Sequence, residues 1–252
     1  MRLDQYLVEK GYFESRNKAK VAIEEGSISV NGIVVKKSSK DILDTDLVKI
    51  TGEVCPFVSR GGYKLLHAIE SFYLDFKDKV IVDIGASTGG FTDCSLQHGA
   101  KKVYSIDVGS DQLDLKLRNN PNVISLENTN IKDIPYFKEN IDYFVMDVSF
   151  VSIEYLIPDI ERFITNDNAL VCLIKPQFEV GKMYLKNGIV KDLNLHVHVI
   201  DNLMKELDKY HLGITKLVPS PILGGSGNKE YLALIQRDRK ANINVLEVVK
   251  GK

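Results

Sequence analysis

The sequence predicts an α/β protein: a doubly wound sheet of seven strands with helices between them, preceded by a small α+β unit. Three observations predict it. From residue 80 onward, short apolar runs alternate with helical stretches. The first of these runs opens into a glycine-rich turn, Gly85-Ala86-Ser87-Thr88-Gly89-Gly90. An acidic residue, Asp107, closes the next run about 20 positions onward, a spacing suited to holding a ribose diol.

At 252 residues the chain has room for a small domain joined to one of about 200 residues. In the first 50 residues, Leu3, Leu7 and Val8 recur at helical spacing, and Ser15 is placed to cap a second helix carrying Ala19, Ala22 and Ile23. Gly26 ends that helix. Ile28 and Val30, then Asn31-Gly32, then Val34 read as strand, tight turn and strand, since Asn-Gly favours the turn that joins a hairpin. A further strand is expected around Leu47 to Ile50. Residues 51–59 lack a clear period and contain Pro56, so they read as a linker, with the larger domain over 60–252. Its strand candidates are Val80 to Asp83, Lys102 to Asp107, Val123 to Leu126, Tyr143 to Asp147, Ala169 to Lys175, Thr215 to Pro219 and Tyr231 to Gln236. Helical stretches such as Leu195 to Tyr210 separate them, which predicts a sheet parallel except at one edge.

Composition excludes several classes. The hydrophobic fraction of 44% and charged fraction of 27% are those of a soluble globular protein. A net charge of −1 gives no overall pull toward nucleic acid, so any such pull must be local. Cys55, Cys94 and Cys172 are far apart and odd in number, which argues against a disulfide framework or a zinc site and favours a reducing, cytoplasmic setting. The longest apolar run, Ala169 to Ile174, is far short of the roughly 20 residues that cross a bilayer, so no stable membrane association is expected. His196 and His198 point to different faces of a helix, which makes them expected surface residues rather than metal ligands. Nothing points to a particular oligomeric state.

The glycine turn selects its ligand by what it lacks. Gly90-Phe91-Thr92 has no lysine to meet a phosphate, and the order of glycines is not that of a dinucleotide turn. Asp83, just ahead of the turn, suits a cationic ligand without phosphate. The pattern D-I-G-A-S-T-G-G resembles the first motif of Rossmann-like methyltransferases, which implies S-adenosyl-L-methionine as cofactor. Gly85, Ser87 and Gly89 are then expected at its methionine end, Asp83 at its amino group, Asp107 at its ribose, and Asn130, after the third strand, near its adenine.

Ionisable residues fall at the ends of the strand candidates. Asp147 follows the fourth, Lys175 follows the fifth, Glu230 precedes the last, and Lys64 lies in the helix before the sheet. Taken singly, each has a plain structural alternative as a cap or a surface charge. Together, S-R-G-G-Y-K-L, D-V-S-F, I-K-P-Q-F-E and G-N-K-E-Y resemble the K-D-K-E set of ribose 2′-O-methyltransferases. A ribose hydroxyl is a poor nucleophile until its proton is removed, and a lysine beside other cations can act as the base. Lys175 is therefore expected as the base, Asp147 and Glu230 as its positioners, and Lys64 as a source of field and orientation. Phe150 is either a wall for the target base or plain core, and Ser226 either a substrate contact or part of a flexible turn.

In the first 50 residues, Arg2, Arg16, Lys18, Lys20, Lys36, Lys37 and Lys40 are nearly balanced by Asp4, Glu9, Glu14, Glu24 and Glu25, so charge alone permits a solvated surface. The order L-D-Q-Y-L, S-R-x-x-A and I-x-x-G-x-I-x-V-N-G resembles the S-four-type RNA-binding domain, which implies that Arg16, Lys18 and Lys20 meet phosphates. Such a domain fused to a K-D-K-E methyltransferase is similar to the hemolysin-A, or TlyA, family. That resemblance implies methylation of cytidine ribose in ribosomal RNA within ribosomal subunits. Two rivals carry distinct signatures. A membrane-active haemolysin needs an apolar or basic amphipathic span that is not evident, and a base N-methyltransferase needs prolines where Val148 and Ser149 stand. An RNA-binding protein with an inactive enzyme domain is opposed by the intact K-D-K-E residues.

Overall fold

The computed structural model describes residues 1–13, 15–52 and 55–251, so Glu14, two positions of the expected linker and Lys252 lie outside the described residues. It divides into two compact units, Met1–Arg60 and Gly61–Lys252.

In the first unit, α1 (Leu3–Glu9) and α2 (Arg16–Glu24) precede the strands β1 (Ile28–Val30), β2 (Ile33–Val34) and β3 (Val48–Ile50). The Ser15 hydroxyl caps α2 by accepting a hydrogen bond from the Lys18 amide at 3.3 Å. Asn31 and Gly32 both have positive φ (54° and 80°), the geometry a two-residue hairpin turn requires and the reason this pair stands there. β1 is central, antiparallel to β2 and β3. The helices pack Leu3, Leu7, Ala19, Ala22 and Ile23 with Ile28 and Val30 into a single core. Each fully buried leucine or isoleucine contributes roughly 1.5–3 kcal/mol. Asp4 is buried too, held by the guanidinium groups of Arg2 and Arg16 at 2.9 Å each, and these bonds draw its pKa down to about 2. Within residues 51–59, Cys55, Phe57 and Val58 are buried.

The second unit begins with α3 (Gly61–Phe72) and β4 (Val80–Ile84), followed by α4 (Gly90–Gln97), β5 (Lys102–Ile106), α5 (Leu115–Arg118) and β6 (Val123–Leu126). Then come β7 (Tyr143–Met146), α6 (Ile157–Ile160), β8 (Ala169–Ile174), α7 (Pro176–Glu179), α8 (Leu193–Asp208), β9 (Leu212–Pro219), β10 (Tyr231–Arg237) and α9 (Val245–Lys250). The sheet order is β6-β5-β4-β7-β8-β10-β9. β4 to β8 are mutually parallel, and every residue of β8 is buried, as expected of a strand covered on both faces.

The antiparallel strand is not at the edge, where the sequence reading put it. β10 pairs antiparallel with both β8 and β9, so it lies second from the edge, and β9 is the border. The cause is the connection through residues 220–230, which turns β9 back into β10 as a hairpin; β10 then takes the place beside β8. Among the described residues no helix is long and apolar enough to cross a membrane, and no three His, Cys, Asp or Glu side chains are grouped to hold a metal.

Candidate active site

The topology decides where the chemistry gathers. Parallel strands β4, β5, β7 and β8 all end at one edge of the sheet, and β10, running the other way, begins there: Tyr231 pairs with Ile174. Asp147 after β7, Lys175 after β8 and Glu230 before β10 are thereby brought to the same edge. One antiparallel strand lets a residue at a strand start join residues at strand ends.

Two ion pairs form there. Lys175 Nζ lies 2.5 Å from Asp147 Oδ1 and donates to the Ser149 hydroxyl oxygen at 2.7 Å. Lys64 Nζ, from the first turns of α3, donates to Glu230 Oε2 at 2.6 Å. Lys64, Lys175 and Glu230 are buried, at 8%, 7% and 3% exposure, which sets aside the surface-charge alternative for Lys64 and Glu230. Buried charges persist only when paired, and here each ammonium has its carboxylate. Gln177 Nε2 donates to the other oxygen of Glu230 at 2.9 Å. Gly224 crosses so close to Glu230 that a Cβ there would lie 1.9 Å from its Oε1, which reserves that position for glycine.

A cavity of about 420 Å³ opens on this group, lined by Lys64, Lys175, Gln177, Phe178, Ser226 and Glu230. A second cavity, of about 530 Å³, lies over the glycine turn and is lined by Gly85, Ser87, Asp107, Asn130, Ile131 and Leu156. Ser149 and Phe150 line both, so the two cavities meet at the end of β7. Phe150 is 91% exposed with φ +66°, a strained backbone for an aromatic residue, and its ring sits 5.0 Å from that of Phe178. It is not core. Ser226 is exposed at φ +59°, in the tight turn Gly225–Gly227.

Of the six residues expected around the cofactor, Gly85, Ser87, Asp107 and Asn130 line the larger cavity and Asp83 and Gly89 do not. Asp107 accepts from the amides of Ser87 and Gly109, both at 2.7 Å. Asn130 caps the short helical turn Ile131–Asp133 by accepting from the Lys132 amide. Gly89 has φ +95°, and a Cβ there would lie 2.3 Å from Leu117, so its glycine serves the packing of the loop on α5. Asp83 is fully buried between β4 and α4, where Thr92 donates to its Oδ2 at 2.7 Å and its Oδ1 has no hydrogen-bond partner. Burial pushes its pKa up to about 7, with Asp147 and Asp107 adding to the rise.

The loop between α7 and α8 is anchored from beneath. Asn228, almost fully buried, accepts from the Val190 amide at 3.1 Å and donates to the Gly188 carbonyl at 2.9 Å. His196, expected at the surface, is 1% exposed. Its Nε2 donates to the Val190 carbonyl and its Nδ1 accepts from the Tyr231 hydroxyl, each at 2.9 Å, and burial holds the ring neutral. Its place on the inner face of α8, one turn from Val199 and Ile200, is why it is buried. His198, two residues on, is exposed as expected.

A model of the FtsJ-like methyltransferase family matches residues 57–237, and one of the S4 domain matches residues 1–48. The chain belongs to the FtsJ-like methyltransferase family. Within it, the chain groups with proteins named hemolysin A and TlyA. It is 44% identical over 237 residues to hemolysin A of Brachyspira hyodysenteriae, covering 92% of this chain and 98% of that protein. It is 36% identical over 255 residues to a protein of Mycobacterium tuberculosis named 16S/23S rRNA (cytidine-2′-O)-methyltransferase TlyA, covering 98% and 94%. A solved structure from Streptococcus thermophilus, described as a candidate hemolysin, superposes with a TM-score of 0.80 at 36% identity, over all of this chain and 94% of that one. The methyltransferase match takes in Lys64, Asp147, Lys175 and Glu230 alike.

Ser149 and Gln177 were missed by sequence reasoning. Both stand inside motifs already singled out, D-V-S-F and I-K-P-Q-F-E, as polar residues next to strand ends, and that adjacency was the available signal.

Proposed function

We propose that this chain transfers a methyl group from S-adenosyl-L-methionine to the ribose 2′-oxygen of a cytidine in ribosomal RNA, with ribosomal subunits as its partner. The observation that carries the reading is that Lys64, Lys175 and Glu230 line one cavity while Asp147, ion-paired with Lys175, lines the adjoining cavity over the glycine turn. The activity for which its Mycobacterium tuberculosis relative is named supports the choice of substrate.

The larger cavity fits the cofactor. Its volume, about 530 Å³, is that of a small-molecule site, and it offers apolar Ile106, Ile131 and Leu156 beside the polar groups of Ser87, Asp107 and Asn130. Asp107 and Asp147, both in its lining, suit an occupant with a ribose diol and a positive charge. When bound, the cofactor supplies an electrophilic methyl group on a sulfonium.

The rest is done by this chain's residues. Lys175 takes the proton of the 2′-hydroxyl, its nitrogen held in place by Asp147 and Ser149. Lys64, held by Glu230, adds positive field where negative charge grows on the oxygen. The chain's share in the transfer would be alignment: a ribose oxygen and a methyl donor held still in adjoining cavities would be spared most of the entropic barrier. Phe150 offers a face on which the target base stacks, with Ser226 beside it, and Arg16, Lys18 and Lys20 of the first unit meet RNA phosphates.

The test is methyl transfer to ribosomal subunits lacking the modification, with the product nucleotide mapped. A 2′-O-methyl group protects the adjacent phosphodiester from alkali, because the attacking hydroxyl is gone. Methyl found on a base would sink the reading, and full turnover by Lys175→Ala would sink the base assignment.

A further inference from the structure

We propose that Gln177 is a positioning residue that ties the two ion pairs into one frame, setting the orientation of Glu230 and through it the place of the Lys64 ammonium. The inference rests on the ribose 2′-O-methyltransferase reading above and adds a fifth side chain to it.

Gln177 follows Lys175 by two residues, with Pro176 between them at the start of α7. Proline fixes its own φ and restricts the residue before it, so the step from Lys175 to Gln177 is stiff. From that base the side chain reaches across to β10's entrance, where its Nε2 donates to Glu230 Oε1 at 2.9 Å while Lys64 Nζ donates to Oε2 at 2.6 Å. The carboxylate is thus gripped on both oxygens by groups from two different elements. Through Gln177 the backbone that carries Lys175 is joined to the acid that carries Lys64.

The amide's own orientation supports this role. Gln177 is 9% exposed, and its Oε1 is buried with no hydrogen-bond partner. An orphaned buried acceptor is costly and needs a reason. Turning the amide over would not relieve it, because its oxygen would then confront Glu230 Oε1, acceptor against acceptor. Donating to Glu230 therefore outweighs satisfying the carbonyl, and the orphan is what that choice leaves behind. A side chain kept only to fill space would be met as well by methionine or leucine, with no orphan at all.

The experiment compares Gln177→Met, Gln177→Asn and Gln177→Glu with the unaltered protein and with Lys175→Ala, by transfer of a tritiated methyl group to ribosomal subunits. Thermal melting and calorimetry with S-adenosyl-L-methionine are run alongside. Gln177→Met keeps the volume and removes the donor; kcat is expected to fall roughly 10- to 100-fold, as for a small misplacement of a reacting group, with KM for RNA and cofactor affinity within about twofold. Gln177→Asn keeps the amide on a shorter arm and recovers part of kcat. Gln177→Glu sets a second carboxylate against Glu230, so its loss is greatest at high pH and eases on acidification, when the pair can share a proton. A merely structural residue would lower the melting temperature without moving the pH profile. Unchanged kcat in folded Gln177→Met, or a pH profile of Gln177→Glu parallel to the parent's, overturns the proposal. Inactivity of the unaltered protein toward ribose overturns instead the reading on which it rests.

Discussion

At the scale of single residues, Lys175 and Asp83 make opposite uses of burial. Lys175 is buried but partnered by Asp147 and Ser149, so its replacement removes the proposed base without opening a void in the main core. Lys175→Ala is expected to lower methyl transfer by at least about 10²-fold while cofactor affinity, read by calorimetry, stays within a few-fold. Asp83 is buried and half-satisfied, with a pKa raised to about 7 against an ordinary 3.8. Between those two values the folded protein keeps a proton that the unfolded chain has released. Stability of the ligand-free protein therefore falls as pH rises from about 4 to 7 and levels off above. Asp83→Asn should flatten that slope in denaturant titrations across the window; an unchanged slope would assign it elsewhere. At this scale the sequence was legible where chemistry and position coincide. Asp147, Lys175 and Glu230 sit at strand boundaries that periodicity marks, so they were found together. Gln177 and Ser149 were not, because a neutral polar residue carries no sign of its partner until the strands are set side by side. His196 misled for a related reason: its spacing from His198 says that the two face apart but not which one faces inward.

At the scale of elements, the glycine turn and the β9–β10 hairpin govern the site. Gly85 has φ +81°, and a Cβ there would press on the Asp147 carbonyl oxygen and Val148 at 3.0 Å. Gly85→Ala is therefore expected to cost about 1–3 kcal/mol in stability and to push the end of β7, so that cofactor affinity and kcat fall together. A loss confined to affinity would mean that the turn does not reach Asp147. Strand positions were legible because apolar runs of four to seven residues leave little choice, except that β9 begins at Leu212, three residues before the expected Thr215; Ser15 and Asn31-Gly32 announced their cap and turn by residue type. The seat of β10 was not. Its apolar run is equally content at an edge or one place in, and only the pairing with both Ile174 and Pro219 tells them apart.

At the scale of the whole molecule, cations of the first unit differ in what they are free to do. Arg16 is committed to buried Asp4, whereas Lys20 has only a 3.8 Å contact with Glu24 on the same helix. Arg16→Glu would set an acid against Asp4 and cost roughly 1–3 kcal/mol in stability, confounding any RNA effect. Lys20→Glu is the cleaner probe. It is expected to leave melting unchanged and weaken RNA binding, with the slope of log affinity against log salt shallower by about one. Equal slopes for parent and variant would remove Lys20 from the RNA face.

The hydrogen bond between Lys64 and Glu230 closes a span of 166 positions in the sequence. A chain that ends before residue 230 therefore leaves the Lys64 ammonium without the acid that holds it. On the proposed mechanism, such a shortened product is expected to show no methyl transfer.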